Sequence, residues 1–157
     1  MKTRIRCAVI LIKGDKILLV KHVHPETGFT WWVPPGGGLE TKDKNILACA
    51  RREVFEETGL IVDLGDILYI REFSDKELHC NNLEIFFEGI IISGELSINH
   101  IPPGDMDEAF IKEVRWLEAM SLSRLTIFPE HLKTPAFWAE INKDIQGARY
   151  LGKQIGG

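Results

Sequence analysis

Cysteine is scarce in this chain: three in 157 residues, at Cys7, Cys49 and Cys80, with no C-x-x-C pair. An odd number without paired spacing excludes a disulfide framework and a zinc knuckle. It fits a reducing, cytoplasmic setting. Long hydrophobic runs are also missing. Residues 7–12 (CAVILI) are apolar, but the run is too short to span a membrane and lacks the small-residue cleavage site of a signal peptide. No membrane partner is expected. Nor is there an excess of positive charge, since 19 Lys and Arg face 23 Asp and Glu for a net charge of −4. That argues against nucleic acid as a partner, because a phosphate backbone wants a basic face. A phosphorylated small molecule stays open if a divalent cation sits between it and the protein. No internal repeat, low-complexity tract or linker interrupts the chain. Its length suits one domain over residues 1–157, large enough to fold without a covalent staple.

What is present reads as alternating strands and helices. Residues 4–12 are rich in β-branched side chains, Lys13-Gly14-Asp15 is a turn signal, and 16–23 is a second apolar run, which together predict a hairpin. Trp31 to Val33 makes a short strand that Pro34-Pro35-Gly36-Gly37-Gly38 should end. Such a run cannot be helical and lets backbone approach a ligand. Asn45 to Thr58 predicts a helix stopped by Gly59. Residues 61–73, 83–93 and 114–117 read as strands, and 118–125 as a short helix. Thr134-Pro135 opens a last helix running to about Gln146. This order gives an α+β fold, an αβα layered sandwich with a mixed sheet.

The helix from Asn45 carries the chemistry. At 100° per residue Ile46, Leu47, Ala50 and Val54 share one stripe. Glu53, Glu56 and Glu57 lie on the adjoining stripe, close to the apolar edge. Glu53–Glu56 and Glu53–Glu57 are like-charge neighbours, each costing roughly 0.2–0.5 kcal/mol, which Arg52 offsets in part. Such a helix is ordinarily a solvated amphipathic one with an Arg52–Glu56 ion pair. Here the glycine run directly precedes it, and three carboxylates on one face make an oxygen-rich site of the kind Mg²⁺ or Mn²⁺ prefers. A cation there would remove the repulsion and offer positive charge to a polyphosphate.

The stretch Arg52-Glu53-Val54-Phe55-Glu56-Glu57-Thr58-Gly59-Leu60 resembles the second half of the Nudix box, G-x5-E-x7-R-E-U-x-E-E-x-G-U with U apolar, at every specified position. Five fixed residues match by chance on the order of once in a million windows. Residues 35–40 (PGGGLE) are similar to the family's loop. One position departs. Counting back from Arg52, the first box Glu should stand at 44, where the chain has Lys44. Counting forward from Gly37, Asp43 takes the acidic place with one extra residue before Arg52. The second alignment also places Leu39-Glu40 on the family's apolar-Glu pair and is preferred.

The resemblance implies metal-dependent hydrolysis of a pyrophosphate bond in a nucleoside diphosphate linked to another moiety. It implies Mg²⁺ or Mn²⁺ held by Glu53, Glu56 and Glu57, with a backbone carbonyl from Gly37 or Gly38. Arg52 would orient the glutamates, and the base would be Glu53 or an acid on a later loop. That loop is Asp105-Met106-Asp107-Glu108, of which Glu108 is taken as a substrate-side candidate, with Arg4, Arg71 and Trp32. Arg4 and Arg71 would meet phosphates, and Trp32 would stack on a base. Ordinary strand-face and core roles stand beside these readings. His22, His24, His79 and His100 lack metal-ligand spacing and read as surface residues. Two rival functions share the scaffold: a non-catalytic nucleotide-binding or regulatory module, and an isomerase, which adds a catalytic Cys outside the box, where Cys80 is the candidate. A small-molecule nucleotide is the expected partner, and exposed strands would support a homodimer.

Overall fold

The computed structural model describes residues 1–143 and 147–156. The run Cys7 to Leu11 is buried throughout, so its alternate side chains need apolar cover on two faces. That demand sets the architecture. β1 (Lys2–Ile10) lies inside a mixed five-stranded sheet of order β5-β1-β7-β6-β9. Its partners are β5 (Gly36–Gly38), antiparallel, and β7 (Cys80–Gly94), parallel. β6 (Leu60–Asp75) pairs antiparallel with β7, and β9 (Arg149–Gly156) runs parallel to β6 at the edge. A second sheet holds β2 (Ile12–Lys13), β3 (Lys16–Val23), β4 (Thr30–Val33) and β8 (Ile111–Glu118), with β8 on β3.

One face of this run, Cys7 and Val9 of β1 with Leu11 just beyond it, packs with Leu18, Phe87 and the helix residues Cys49, Ala50 and Val54. The other, Ala8 and Ile10, packs with Ile17, Leu19, Trp32, Tyr69, Leu122 and Phe137. Helix α1 (Ile46–Thr58) thus covers one side. The 3-10 turns at Ala119–Arg124 and Glu130–Lys133, with α3 (Pro135–Glu140), cover the other. This is the expected αβα sandwich. No helix among the described residues is long and apolar enough to cross a membrane.

Several elements depart from expectation. The anticipated hairpin survives only as Ile12↔Ile17 and Lys13↔Lys16 around Gly14, φ +62°. Beyond Leu11 the two strands part into different sheets, because β1 is paired on both edges, with β5 and β7. The glycine run does not end in a loop: Gly36–Gly38 pairs with Arg6, Cys7 and Ala8 as an edge strand. The C-terminal helix starts as expected, with Thr134 Oγ1 accepting from Phe137 N at 3.2 Å, but closes at Glu140. The part of the expected helix at 144–146 lies outside the described residues. The strand at 149–156 was not anticipated, since an edge strand with no buried residue carries little hydrophobic pattern.

Candidate metal centre on the first helix

Helix α1 is framed as its ends require. Asn45 Oδ1 accepts from Ala48 N at 2.8 Å, and Gly59, at φ +77°, donates its N–H to Phe55 O at 2.9 Å. Those caps fix the rotation that sends Cys49, Ala50 and Val54 into the core. On the same turn pattern Glu53 and Glu57 follow them under cover, 5% and 1% exposed. They face β5. Glu57 Oε1 accepts from Gly36 N at 2.9 Å. The Glu53 carboxylate lies where a side chain at residue 37 would sit, since a Cβ on Gly37 would fall 2.4–2.6 Å from its carboxyl atoms. A glycine is needed at 37 for that close approach.

Arg52 ties this face together. Its Nε and Nη2 each donate to Asp43 at 2.8 Å, a bidentate pair. Nη1 donates to Glu53 Oε1 at 2.8 Å and Glu56 Oε2 at 3.2 Å, and Nη2 also donates to Gly38 O at 3.2 Å. The Arg52 guanidinium holds the Asp43 carboxyl down at about 2. Lys44 is exposed. It is therefore Asp43, not residue 44, that carries the acidic contact ahead of the helix.

The remaining oxygens are the distinctive feature. Glu53 Oε2 and Glu57 Oε2 are buried and have no hydrogen-bond partner among the described residues, an arrangement that costs about 1–3 kcal/mol per group, more for charged ones. Burial pushes Glu53 up to about 7 against the pull of Arg52. Burial, with Asp107 and Glu53 adding, raises Glu57 well above its ordinary value. Burial raises Glu56 too, opposed by Arg52. Unsatisfied, crowded carboxylate oxygens are what a hard divalent cation would satisfy, so the donor set fits such an ion.

The glycine carbonyls sort by strand geometry. Val9 N bonds Pro35 O and Leu39 N bonds Ile5 O, so antiparallel alternation turns Gly37 toward Cys7 and turns Gly36 and Gly38 outward to α1. The Gly38 carbonyl accepts from Arg52. The Gly36 carbonyl is turned the same way as the Gly36 N–H that meets Glu57.

Other candidates fall into place unevenly. In the later loop, α2 (Met106–Phe110) is a short helix capped by Asp105, whose Oδ1 accepts from Asp107 N at 3.0 Å. Asp107, not Glu108, reaches the centre. Ligand atoms of Asp107, Glu57 and His22 all lie within 4.8 Å of one another. Glu108 is exposed and turns back to accept from Gly104 N at 2.7 Å. Burial raises the Asp107 carboxyl, and Asp105 adds to it.

His22 corrects the expectation of a surface residue. It is 8% exposed, and burial holds it down at about 4, hence neutral. Sequence spacing could not reveal it, because His22 comes from the second sheet. Trp32 is core, with Lys21 and Arg115 over its ring at 5.8 and 5.9 Å, so it offers no open face for stacking. Arg71 is buried and paired with Glu84 at 3.0 Å, between the rings of Phe73 and Phe128. Arg4 lies over Gly38, its guanidinium filling the space a Cβ there would take. Cys80, expected in an exposed loop, is buried at the start of β7, which removes the one cysteine offered for an isomerase.

Comparison with known proteins agrees with the residues. A family model described as the NUDIX domain matches residues 1–136. The m7GpppN-mRNA hydrolase of Saccharomyces cerevisiae is 30% identical over 119 residues, 76% of this chain and 11% of that protein. The chain therefore spans about a tenth of that relative's length. The RNA pyrophosphohydrolase of Bartonella tribocorum is 27% identical over 136 residues, covering 76% of this chain and 75% of that one. A NUDIX hydrolase structure from Nitrosomonas europaea superposes with TM-score 0.64 at 21% identity, covering 88% and 85% of the two chains. A MutT NUDIX hydrolase from Burkholderia pseudomallei gives 0.67 at 19% identity, covering 85% and 96%. At such identities the structures establish a shared fold.

Proposed function

Because the chain belongs to the Nudix family of hydrolases, we propose that it cleaves a pyrophosphate bond in a nucleoside diphosphate linked to another moiety, using Mg²⁺ or Mn²⁺ held by Glu53, Glu56 and Glu57. The observation that carries this reading is the pair of buried, unpartnered oxygens, Glu53 Oε2 and Glu57 Oε2, beside the close-packed glycine strand. The whole chain acts as one Nudix domain, with β9 completing the sheet against β6.

When bound, the cation supplies charge to the phosphate oxygens and lowers the pKa of attacking water. The chain's own residues do the rest. Arg52 fixes the Glu53 and Glu56 carboxylates through charge-assisted hydrogen bonds, so the donors need no reorganisation. Asp43 in turn fixes Arg52. Glu53 and Asp107 are the candidates for the general base, each a carboxyl that burial raises. Gly37 lets Glu53 approach the strand, and the outward Gly36 carbonyl adds an oxygen donor. Arg4, exposed beside Gly38, is the candidate to meet a substrate phosphate, whereas Arg71 and Trp32 act in packing.

The test is phosphate and pyrophosphate release from a panel of nucleoside triphosphates, nucleotide sugars, dinucleoside polyphosphates and 5′-triphosphorylated RNA, with Mg²⁺, Mn²⁺ or chelator. RNA belongs on the panel because the relatives above carry RNA names, although the acidic net charge favours small nucleotides. Turnover with the metals, none in chelator, and its collapse in Glu56→Gln with the fold retained is the expected result. Binding without turnover of any panel member, or turnover undiminished in chelator, would overturn it.

A further inference from the structure

We propose that His22 is a metal ligand: its Nε2, with the Glu57 and Asp107 carboxylates, forms a nitrogen-containing cation position that favours Mn²⁺ and other transition ions over Mg²⁺. The proposal rests on Glu57 being metal-binding, as read above. One ligand atom from each of the three residues lies within 4.8 Å of the others. A cation with bonds of about 2.0–2.2 Å joins atoms up to roughly 4.4 Å apart, so small side-chain rotations close the set.

Three structural features aim the imidazole. The β3–β8 register shifts between Lys21 and His22, where Lys21↔Glu113 is followed by His22↔Ile111. A bulge at such a point re-aims a side chain. The ring stacks on Trp31, centroids 5.2 Å apart and planes at 24°. His22 Nδ1 lies 3.4 Å from Val20 O; a carbonyl only accepts, so Nδ1 carries the hydrogen and Nε2 keeps its lone pair. This is the outer hydrogen bond that ligating histidines make.

The partners are prepared in the same way. Glu57 is 1% exposed and its Oε2 has no partner. Asp107 is delivered by α2, whose last residue, Phe110, sits edge-on to Trp31 and His24 at 6.2 and 5.4 Å. A histidine kept only for packing would need just Val20 and Trp31. It would not have to face two carboxylates, one of them bearing an unsatisfied oxygen. Carboxylate oxygens alone suit Mg²⁺, whereas an added imidazole shifts preference toward the transition series.

The test is pulsed EPR of Mn²⁺ bound to the full chain, unlabelled and labelled with heavy nitrogen in histidine only. Mg²⁺ and Mn²⁺ affinities of wild type, His22→Leu, His22→Gln and Glu57→Gln are measured alongside. The expected result is a nitrogen hyperfine coupling that changes with the histidine label and vanishes in both His22 variants. Mn²⁺ affinity should fall by about tenfold or more in those variants, with a markedly smaller loss for Mg²⁺. Should His22→Leu fail to fold, the more conservative His22→Gln decides. Mn²⁺ bound through Glu57 without histidine coupling, or coupling that persists without His22, overturns this proposal and leaves the metal-dependent reading standing. No cation bound by wild type overturns both.

Discussion

In the metal-free protein, Glu57→Gln should remove a defined slope of stability against pH. Glu57 is 1% exposed and accepts the Gly36 N–H with one oxygen, and no donor among the described residues meets the other. Burial, the largest cause, raises its pKa well above the ordinary 4.5. Between about pH 4.5 and that raised value the folded chain therefore keeps a proton that the unfolded chain has lost. Its stability contribution is fully present below the unfolded pKa and declines as pH rises. One pH unit is worth about 1.4 kcal/mol for a single such group. As pH rises through that interval Glu57 alone lowers stability, at no more than this slope. At roughly 2–4 °C per kcal/mol for a domain of this size, that slope is at most roughly 3–6 °C in Tm per pH unit.

Glu53, raised to about 7, and Asp107 slope the same way, so the wild-type curve alone is not diagnostic; the difference between variant and wild type is. Gln keeps an oxygen for Gly36 N and places an N–H donor where Oε2 has none. Urea or thermal melts in chelator should show the variant close to wild type near pH 5.5 and several degrees above it near pH 7.5. Parallel curves for the two proteins, or a wild type that gains stability across this interval, would refute the claim that Glu57 is buried without a partner.

Three further outcomes follow from the same geometry. Gly37→Ala puts a methyl 2.4–2.6 Å from the Glu53 carboxyl atoms. A side-chain end can move aside, so Tm should drop by only a few degrees, while a carboxylate displaced by about 1 Å can cost on the order of a hundredfold in kcat/KM; unchanged kinetics would place Glu53 outside the site. Arg52→Lys loses the bidentate grip on Asp43 and the bonds to Glu56 and Gly38; urea denaturation should register a loss of about 1–3 kcal/mol, against none if Arg52 were a solvated pair. Lys44→Glu should leave metal affinity within about twofold and Asp43→Asn should lower it by about tenfold, read by Mn²⁺ titration; the reverse order would reinstate position 44 as the missing acidic position.

How much of this was legible in advance depends on how local the cause is. Helix α1 and its caps follow from residues within one turn of one another, so Asn45, Gly59 and the Glu53-Glu56-Glu57 face could be placed from spacing alone. Counting forward from Gly37 allowed Asp43 to be preferred over Lys44, because Leu39-Glu40 then falls on the family's apolar-Glu pair. The sequence by itself thus determined the helix, its carboxylate face and the family.

Tertiary structure decided the rest. Gly36–Gly38 became a strand because β1 offered it an edge, not because glycine favours one. Which glycine carbonyl turns outward depends on antiparallel alternation set by Pro35 and Leu39. His22 and Asp107 stand 35 and 50 positions from Glu57 in the chain and meet it only when the second sheet packs against α1. Trp32 and Arg71 stood as substrate candidates beside core and strand-face roles, and the fold surrounds them with Lys21, Arg115, Glu84 and two phenylalanines. Periodicity and caps act over a few residues of backbone and can be read from order alone. Burial, desolvation and the absence of a hydrogen-bond partner are properties of a neighbourhood assembled from distant segments, and they exist only in the folded chain.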